Sequence, residues 1–566
     1  MKRADIIHLK TKEGENITGE EYNFYPRPQL ARDSFFSLNG KWNLYVSDTE
    51  KYEILVPYPP ESILSGVGKV FDDGTKLIYT KKFTLPEGFL RDRVILNLGA
   101  VDQIATVYIN GNLVGEHVGG YNAFCFDITE YLDSENEIKV EVTDTLNGYV
   151  LPYGKQTLKR GGMWYTRVSG IWQSVWLESV PSEYIKSLKI DVGLDFAKIK
   201  FEGVIDGTVT VLTPEGEIKF PIENGVCDIK IDNPKNWTPT EPYLYYFKAQ
   251  AGNDLIKSYF ALRTLEIKTI DTCPRLCLNG KPFFFHALLD QGYFSDGIYT
   301  PASPSLYKGD IVKMKELGFN TLRKHIKVEP EWFYYDCDRL GMVVFQDMVN
   351  NGKYSFFRDT ALPTIGFKNI SERFMKRTKE QKIAFERAMA ETVNQLYNHP
   401  CVCYYTIFNE GWGQFESERM YKALRELDSS RFIDTNSGWF GKHTSDVCSL
   451  HVYFKKFKIK KSNLPIVLSE FGGYSYKVEG HVANTKNTYG YKKFSEQSEF
   501  ENALIALYEN EIIPSIKKGL CASVYTQLSD VEDETNGLLT YDREILKVSK
   551  EKMLDLASKL TIEEQQ

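Results

Sequence analysis

No run of about 18 consecutive apolar residues occurs in the 566-residue chain, so no membrane-spanning helix is expected. The opening stretch has two early cations but lacks the apolar core of a secretory signal, so none is expected. An excess of basic charge is missing too. The chain has 69 Lys+Arg against 76 Asp+Glu, a net charge of −7, which argues against a nucleic-acid partner. Its nine cysteines are odd in number and scattered. Cys273/Cys277 and Cys401/Cys403 lack CxxC spacing and no second Cys/His pair completes a zinc site, so no metal is expected. Buried free thiols in a reducing compartment are the expectation, and with the missing signal they imply a cytoplasmic protein. Repeats and low-complexity linkers are absent as well. What remains is an ordinary globular composition, 42% hydrophobic and 26% charged, with an unusual aromatic share of 14%. Aromatic faces stack on the apolar faces of sugar rings, so the excess mildly favours carbohydrate.

The length suggests about three or four domains. Residues 1–180 read as all-β, with short alternating runs such as 41–46, 94–98 and 105–109 punctuated by Asn39-Gly40, Asp73-Gly74, Asn110-Gly111 and Gly119-Gly120. That pattern predicts a jelly-roll sandwich. Residues 181–268 alternate over 185–192, 198–205, 208–213, 226–231, 243–250 and 256–263, predicting an immunoglobulin-like β-sandwich. From 269 to 566 strand-like and helix-like segments alternate. Eight strands are expected at 283–288, 319–323, 342–346, 403–409, 432–436, 448–453, 465–470 and 521–527. Helices are expected at 305–317, 329–340, 372–397, 416–427, 498–518 and 542–559. The links from strand five to six and from six to seven are too short for full helices. Eight βα units in that length predict a C-terminal (β/α)8 TIM barrel.

Function in such a barrel sits at the C-terminal strand ends. The fourth strand ends in Asn409-Glu410, followed by Gly411-Trp412-Gly413; the seventh ends in Glu470, followed by Phe471-Gly472-Gly473. An apolar strand has no local use for an ionised Glu, and desolvating one is costly unless it is paired. Either Glu alone could cap the turn that follows it. Two of them, at strands four and seven, face each other across the mouth. That is the arrangement of a retaining glycosidase, whose carboxylates lie about 5–5.5 Å apart as acid/base and nucleophile. Asn409 could bond a sugar hydroxyl beside the acid/base, and Trp412 could stack on a sugar ring or else form a wall of the barrel rim. Asp290 and Asp347, after strands one and three, could grip hydroxyls. Arg323 and His325 end strand two and Gln527 ends strand eight. For each, an internal ion pair, packing role or turn cap is the alternative. His451 is expected to pack rather than act, though it could line the site. The long aromatic loops 350–370 and 471–495 could restrict the pocket or cover an aglycone.

Phe408-Asn-Glu-Gly-Trp412 and Leu468-Ser-Glu-Phe-Gly472 resemble the two catalytic signatures of glycoside hydrolase family 2, and Gly170-Ile-Trp-Gln-Ser-Val-Trp-Leu-Glu178 resembles the end of its jelly roll. The family's order of jelly roll, immunoglobulin-like domain and TIM barrel matches the order read above. The resemblance implies Glu410 as general acid/base and Glu470 as nucleophile. Tyr453 would hydrogen-bond the nucleophile, and Arg323 would orient it and depress its pKa. It also implies a small carbohydrate or glycoside substrate, no cofactor, and common oligomerisation, with the state of this chain left open.

Some positions depart from the family pattern. The Asn-x-Lys element that holds a uronate in β-glucuronidases is replaced by Glu534-Thr-Asn536, unless Lys324 or Arg323 supplies the cation. The expectation is therefore an exo-acting retaining β-glycosidase with β-galactoside as the leading substrate. β-Glucuronide, β-mannoside and α-L-arabinoside stay open within the family. Outside enzymology the alternatives are a non-catalytic glycan-binding protein and an interaction scaffold.

Overall fold

The structure, a computed structural model, describes residues 6–47, 50–364, 367, 372, 375–440 and 444–562. Part of the 350–370 loop and of the helix expected from 372 lies outside the described residues.

The N-terminal region is a sandwich of two antiparallel sheets. One has six strands, in the order 50–56, 40–46, 76–83, 136–143, 104–109 and 112–118; the other has four, in the order 36–37, 175–180, 93–98 and 124–127. Asn136–Thr143 shows the cause in its burial, every second side chain facing the opposite sheet. Asn110 and Gly111, with φ of 51° and 80°, make the tight turn that their residue types demand.

The second β segment folds as a three-stranded sheet (187–192, 196–202, 226–230) on a four-stranded one (216–222, 207–213, 245–251, 254–260). The strand Gly216–Ile222 was not among those expected. It lies at a sheet edge, is mostly exposed, and contains Pro221, so neither alternation nor composition announces it. This sandwich docks on the barrel's outer helices. Asn398 bonds the backbone of Leu188 and Ile190, and Trp237 Nε1 donates to Asp338 O at 2.7 Å.

A small sheet (265–270, 273–278, 281–282) precedes the barrel, and Arg275 donates from it to Leu520 O at the start of barrel strand eight. The barrel strands are Phe285–Asp290, Thr321–Lys324, Val343–Asp347, Val402–Asn409, Phe432–Ser437, Cys448–Val452, Ile466–Gly472 and Leu520–Thr526. They form one parallel sheet in the spatial order 5-4-3-2-1-8-7-6. Between strands five and six there is no ladder; Asp446 bridges the gap, its N–H donating to Ile433 O and its carboxylate accepting from Ile433 N. Strands four and seven are buried along their whole length, as strands covered on both faces must be.

Four of the six helices begin within two residues of where the patterns put them, and those expected from 372 and 542 begin at Lys379 and Lys550. Lys379–Leu396 opens on a capping box of Thr378 and Gln381. The last is shorter than expected, Lys550–Ser558 in place of 542–559. Residues 540–549 instead form a tight turn that drives Arg543, at φ 65°, inward to Asp310 and to the carbonyls of Tyr293 and Tyr541. Buried residues of the first sandwich, including Tyr58, Tyr121, Tyr153, Tyr165 and Trp172, join the barrel's core without a break. No helix among the described residues is long and apolar enough to cross a membrane. All nine cysteines are free, and Cys125 is exposed, against the expectation of burial.

Candidate active site

Strand two supplies the centre of the site. Its alternation sends Arg323 and His325 to the barrel axis and Lys324 the other way. Arg323 is 1% exposed and uses all five N–H donors. Nε donates to Asp347 Oδ1 (2.9 Å), Nη1 to Ser469 O and Glu470 Oε1 (both 3.0 Å), and Nη2 to Asn409 Oδ1 (2.9 Å) and Ser437 Oγ (3.1 Å). One guanidinium thus ties strands two, three, four, five and seven together at the mouth. Its planar fork suits this better than a lysine could.

Glu470 has both oxygens held, Oε1 by Arg323 and Oε2 by the Tyr453 hydroxyl at 2.5 Å. Burial alone would raise its pKa. The nearby His451, Arg323 and His325, with the Tyr453 hydrogen bond, overcome that and bring it down to about 2. Glu470 is therefore ionised at neutral pH. Tyr453 also bonds Thr526 Oγ1 (3.0 Å) and stacks on Tyr491 of the loop after strand seven, ring centroids 3.9 Å apart.

Glu410 sits at φ 53° in the left-handed region, on the turn that ends strand four. Gly411 follows at φ 74°, where an added Cβ would lie 2.1 Å from the Phe440 ring. The turn therefore requires glycine there, and it aims Glu410 at the axis. Its Oε1 accepts from His451 Nδ1 at 2.8 Å, and the same nitrogen lies 3.5 Å from Glu470 Oε2. The three groups' ligand-type atoms lie within 4.8 Å of one another. Two carboxylates that close fit the retaining spacing and not the wider inverting one. Among the described residues this is also the one cluster of three that could hold a cation, through an oxygen of each carboxylate and a His451 ring nitrogen.

The remaining candidates divide. Asn409 is in the site, its Oδ1 taken by Arg323 and Ser437 Oγ, so its amide N–H groups are the part left for a ligand. His325 bonds Asp347 Oδ2 through Nδ1 (2.7 Å). Burial pulls it down to about 4 against the neighbouring Asp347, so it is neutral at pH 7 and Nε2 is an acceptor. Asp347, expected to grip hydroxyls, has both oxygens engaged by Arg323 and His325 and is 1% exposed; it orients those two instead. Asp290 likewise is held by Lys324 Nζ (2.5 Å) and Gly292 N (2.9 Å). Trp412 offers no face to a sugar. It is 2% exposed, donates Nε1 to Gly352 O, and is wedged among Tyr153, Trp164 and Tyr354, forming the wall behind the site. Gln527 is fully buried and links Gln291 to Glu534 and Asn536.

His451 was expected chiefly to pack, with lining the site as the alternative, and it stands between both carboxylates. The signal was present: His451 and Tyr453 are two apart on an extended segment and so share a face. Gly438 makes room, since a Cβ there would lie 2.5 Å from the His451 ring. Tyr165 was also missed, and Glu534 was named only as part of the stretch that replaces Asn-x-Lys. The sandwich segment 153–165 lies over the mouth. Tyr153 N–H donates to Asn350 O (3.1 Å), and Tyr165 OH donates to Glu534 Oε2 (2.9 Å).

Residues 29–181 match the sugar binding domain of glycosyl hydrolases family 2, and residues 272–545 match that family's TIM barrel domain. A β-galactosidase of Thermoanaerobacter pseudethanolicus is 28% identical over 386 residues, which are 62% of this chain and 47% of that protein. A β-glucuronidase of Chlorocebus aethiops is 26% identical over 432 residues, 66% of this chain and 62% of that protein. The chain spans about half the length of the first of these relatives. Among solved structures, a Ruminococcus gnavus β-glucuronidase in complex with uronic isofagomine superimposes with a TM-score of 0.74 at 18% identity, covering 96% of this chain and all of that one. That likeness is one of fold. The two matched regions, together with the three-domain order, place this chain in glycosyl hydrolase family 2.

Proposed function

We propose that the protein is a retaining exo-β-glycosidase. The observation that carries this reading is the Glu410–Glu470 pair, with ligand oxygens within 4.8 Å of one another at the ends of barrel strands four and seven. Glu470 Oε attacks the anomeric carbon while Glu410 gives its proton to the glycosidic oxygen. The C–O bond to the aglycone breaks with its electron pair, and a glycosyl ester of Glu470 forms. Glu410, now a carboxylate, takes a proton from water as that water attacks the anomeric carbon. The ester bond breaks, Glu470 is regenerated ionised, and the anomeric configuration is retained. Arg323 and Tyr453 hold Glu470 charged and aimed between turnovers. The sandwich segment laid over the mouth supports a pocket and the release of terminal sugars.

β-Galactoside remains the leading sugar. The two cations that could have held a uronate are both engaged elsewhere. Arg323 uses all its donors, and Lys324 is buried between Asp290 and Glu329. A second reading, a uronide, is favoured by one observation: the Lys155 ammonium has no hydrogen bond or ion pair among the described residues.

A panel of 4-nitrophenyl glycosides tests the reaction, with Glu470→Gln as control and the product anomer followed by NMR. Turnover with retention that disappears in Glu470→Gln is expected. Turnover that survives, or inversion, overturns the mechanism. Binding without turnover turns the reading to a glycan-binding protein.

A further inference from the structure

The barrel has a cleft at the end of its strands opposite the mouth. It holds about 330 Å³ and is walled by three stretches far apart in the chain. One is the turn at Thr272 in the small sheet before the barrel, one is the link from strand six to strand seven, and one is the approach to strand eight. Ile466, the first residue of strand seven, and Gly519, just ahead of strand eight, both line it. Glu470 stands four residues further along strand seven, about 13 Å away along the strand. The cleft is therefore separate from the carboxylate pair.

Its charge is all of one sign. Lys460, Lys461 and Lys518 line the cleft, and among the described residues no carboxylate does. None of the three makes a hydrogen bond or an ion pair with a described residue. Elsewhere on the surface Lys41, Lys76, Lys198 and Lys230 each meet an acid. Lys460 and Lys461 close a run of five lysines in residues 455–461 that contains no acid, in a chain whose net charge is −7. The acid that does reach this link, Glu511, is spent on the backbone, accepting from Phe457 N at 2.5 Å. Lys518 has a local reason for its place, since it follows the helix Ile513–Ile516, whose carbonyl end favours cations. Lys460 and Lys461 have no such reason, because no helix forms between strands six and seven among the described residues. Like charges gathered around one hollow repel each other, and an anion inside it removes that cost.

We propose that this cleft is a binding site for a phosphorylated small molecule, with Lys460, Lys461 and Lys518 around the phosphate. Lysine ammoniums are compact point charges that suit a phosphate, whereas a carboxylate is met best by the planar fork of an arginine. No arginine lines the cleft among the described residues. A phosphate ester carries about −1.5 to −2 charge at pH 7, which three ammoniums balance. The hydroxyls of Thr272 and Ser462 add polar groups to the walls. The volume is larger than a bare phosphate needs, and Pro274, Ile459 and Leu464 supply an apolar side for the organic body of the ligand.

Calorimetry on the full chain at constant ionic strength tests this, with phenyl phosphate, inorganic phosphate and benzoate as probes. Phenyl phosphate is expected to bind at one site per chain, more tightly than inorganic phosphate and about tenfold or more tighter than benzoate. The triple variant Lys460→Gln, Lys461→Gln, Lys518→Gln is expected to weaken phenyl phosphate by about tenfold or more, the scale of three partly exposed ion pairs. All three side chains are exposed, so this variant should keep the wild-type Tm in the absence of ligand. Lys455→Gln with Lys456→Gln removes charge from the same run but outside the cleft, and with salt present should change the affinity by less than about twofold. Glu470→Gln should bind phenyl phosphate as wild type does, whatever becomes of glycoside turnover. The proposal is overturned if phenyl phosphate does not bind at millimolar concentration, or if benzoate binds as tightly. An unchanged affinity in the triple variant overturns it too, as does an equal loss in the Lys455/Lys456 variant, which would mean diffuse attraction to the lysine run. Binding that disappears in Glu470→Gln would place the ligand in the mouth and has the same consequence. So does capture by vesicles containing phosphatidate when phenyl phosphate itself fails to bind.

Discussion

The two carboxyls proposed as the catalytic pair, Glu410 and Glu470, stand a few ångströms apart in opposite surroundings. Glu470 has both oxygens bound and its side chain is 7% exposed, while Glu410 is held through one oxygen by His451 and is 15% exposed. The difference fits the tasks proposed for them. A nucleophile must stay ionised and aimed, so it is enclosed by donors on rigid strands. An acid/base must pass a proton to a leaving group and take one from water, so it stands on a strained turn where both can reach it. On that reading the barrel mouth separates charge fixation from proton exchange by burying one carboxyl more deeply than the other.

The sharpest way to break this contrast is to remove the two groups in turn. Glu470→Gln deletes the nucleophile and is expected to lower kcat by about 10⁴-fold or more on every substrate, since nothing else near the anomeric carbon can replace it. Glu410→Gln is expected to cost about 10²–10⁴-fold, and only where the leaving group needs a proton. Steady-state rates across leaving groups check it. With 2,4-dinitrophenol as leaving group the first step should be nearly restored, while alkyl glycosides stay slow. Equal losses on both would show that the two carboxyls are not divided in the way their surroundings indicate.

Arg323 tests the enclosure itself. Arg323→Met leaves Asp347 and Glu470 buried without their shared cation, and removing one partner of such a pair is destabilising by about 3–5 kcal/mol. Urea unfolding should show that loss. Gly411→Ala acts on the other carboxyl. It strains a φ of 74° and drives a methyl into Phe440, so it should lower kcat while Glu470 and its partners stay in place. A tryptophan-fluorescence signal like wild type, with reduced kcat, is the expected pair of results.

How much of this could be read from the chain follows the same division. The enclosed half is local in sequence. An apolar strand, a carboxylate and a glycine mark Glu410 and Glu470, and strand alternation predicts which of Arg323, Lys324 and His325 faces the axis. Beyond that, the partners come from far away. Tyr165 and Glu534 are 369 positions apart, and no pattern along the chain announces that they touch. Asp290, Asp347 and Gln527 were placed at the right strand ends, but whether a polar group meets the substrate or an internal partner depends on neighbours contributed by other strands. Trp412 shows the same limit, because its ring is covered by Tyr153 and Trp164 of the sandwich. His451 was underweighted because histidines on apolar strands usually pack. The edge strand Gly216–Ile222 and the turn 540–549 escaped because exposed strands and inward-turned arginines leave no periodic signature.

The smallest expected effect is also the most specific. Tyr453→Phe removes one hydrogen bond to Glu470 and leaves Arg323 in place, a change worth about 1 kcal/mol, or roughly five- to tenfold in kcat/KM. It also bears on pH. Glu470 ionises at about 2 in the folded protein, below its ordinary value near 4.5, so its contribution to stability is fully present above that ordinary value. The contribution is lost as pH falls from there toward 2. Loss of the Tyr453 hydroxyl moves the folded-state value upward by less than about one unit, which narrows this window from below. Acid unfolding should therefore begin at higher pH in Tyr453→Phe than in wild type, with stability at pH 7 reduced only slightly. The acidic limb of kcat/KM should shift in the same direction wherever Glu470 sets it. A variant with unaltered acid unfolding and an unaltered limb would mean that Arg323 and the histidines hold Glu470 ionised without Tyr453, and the enclosure would then reduce to its cationic side.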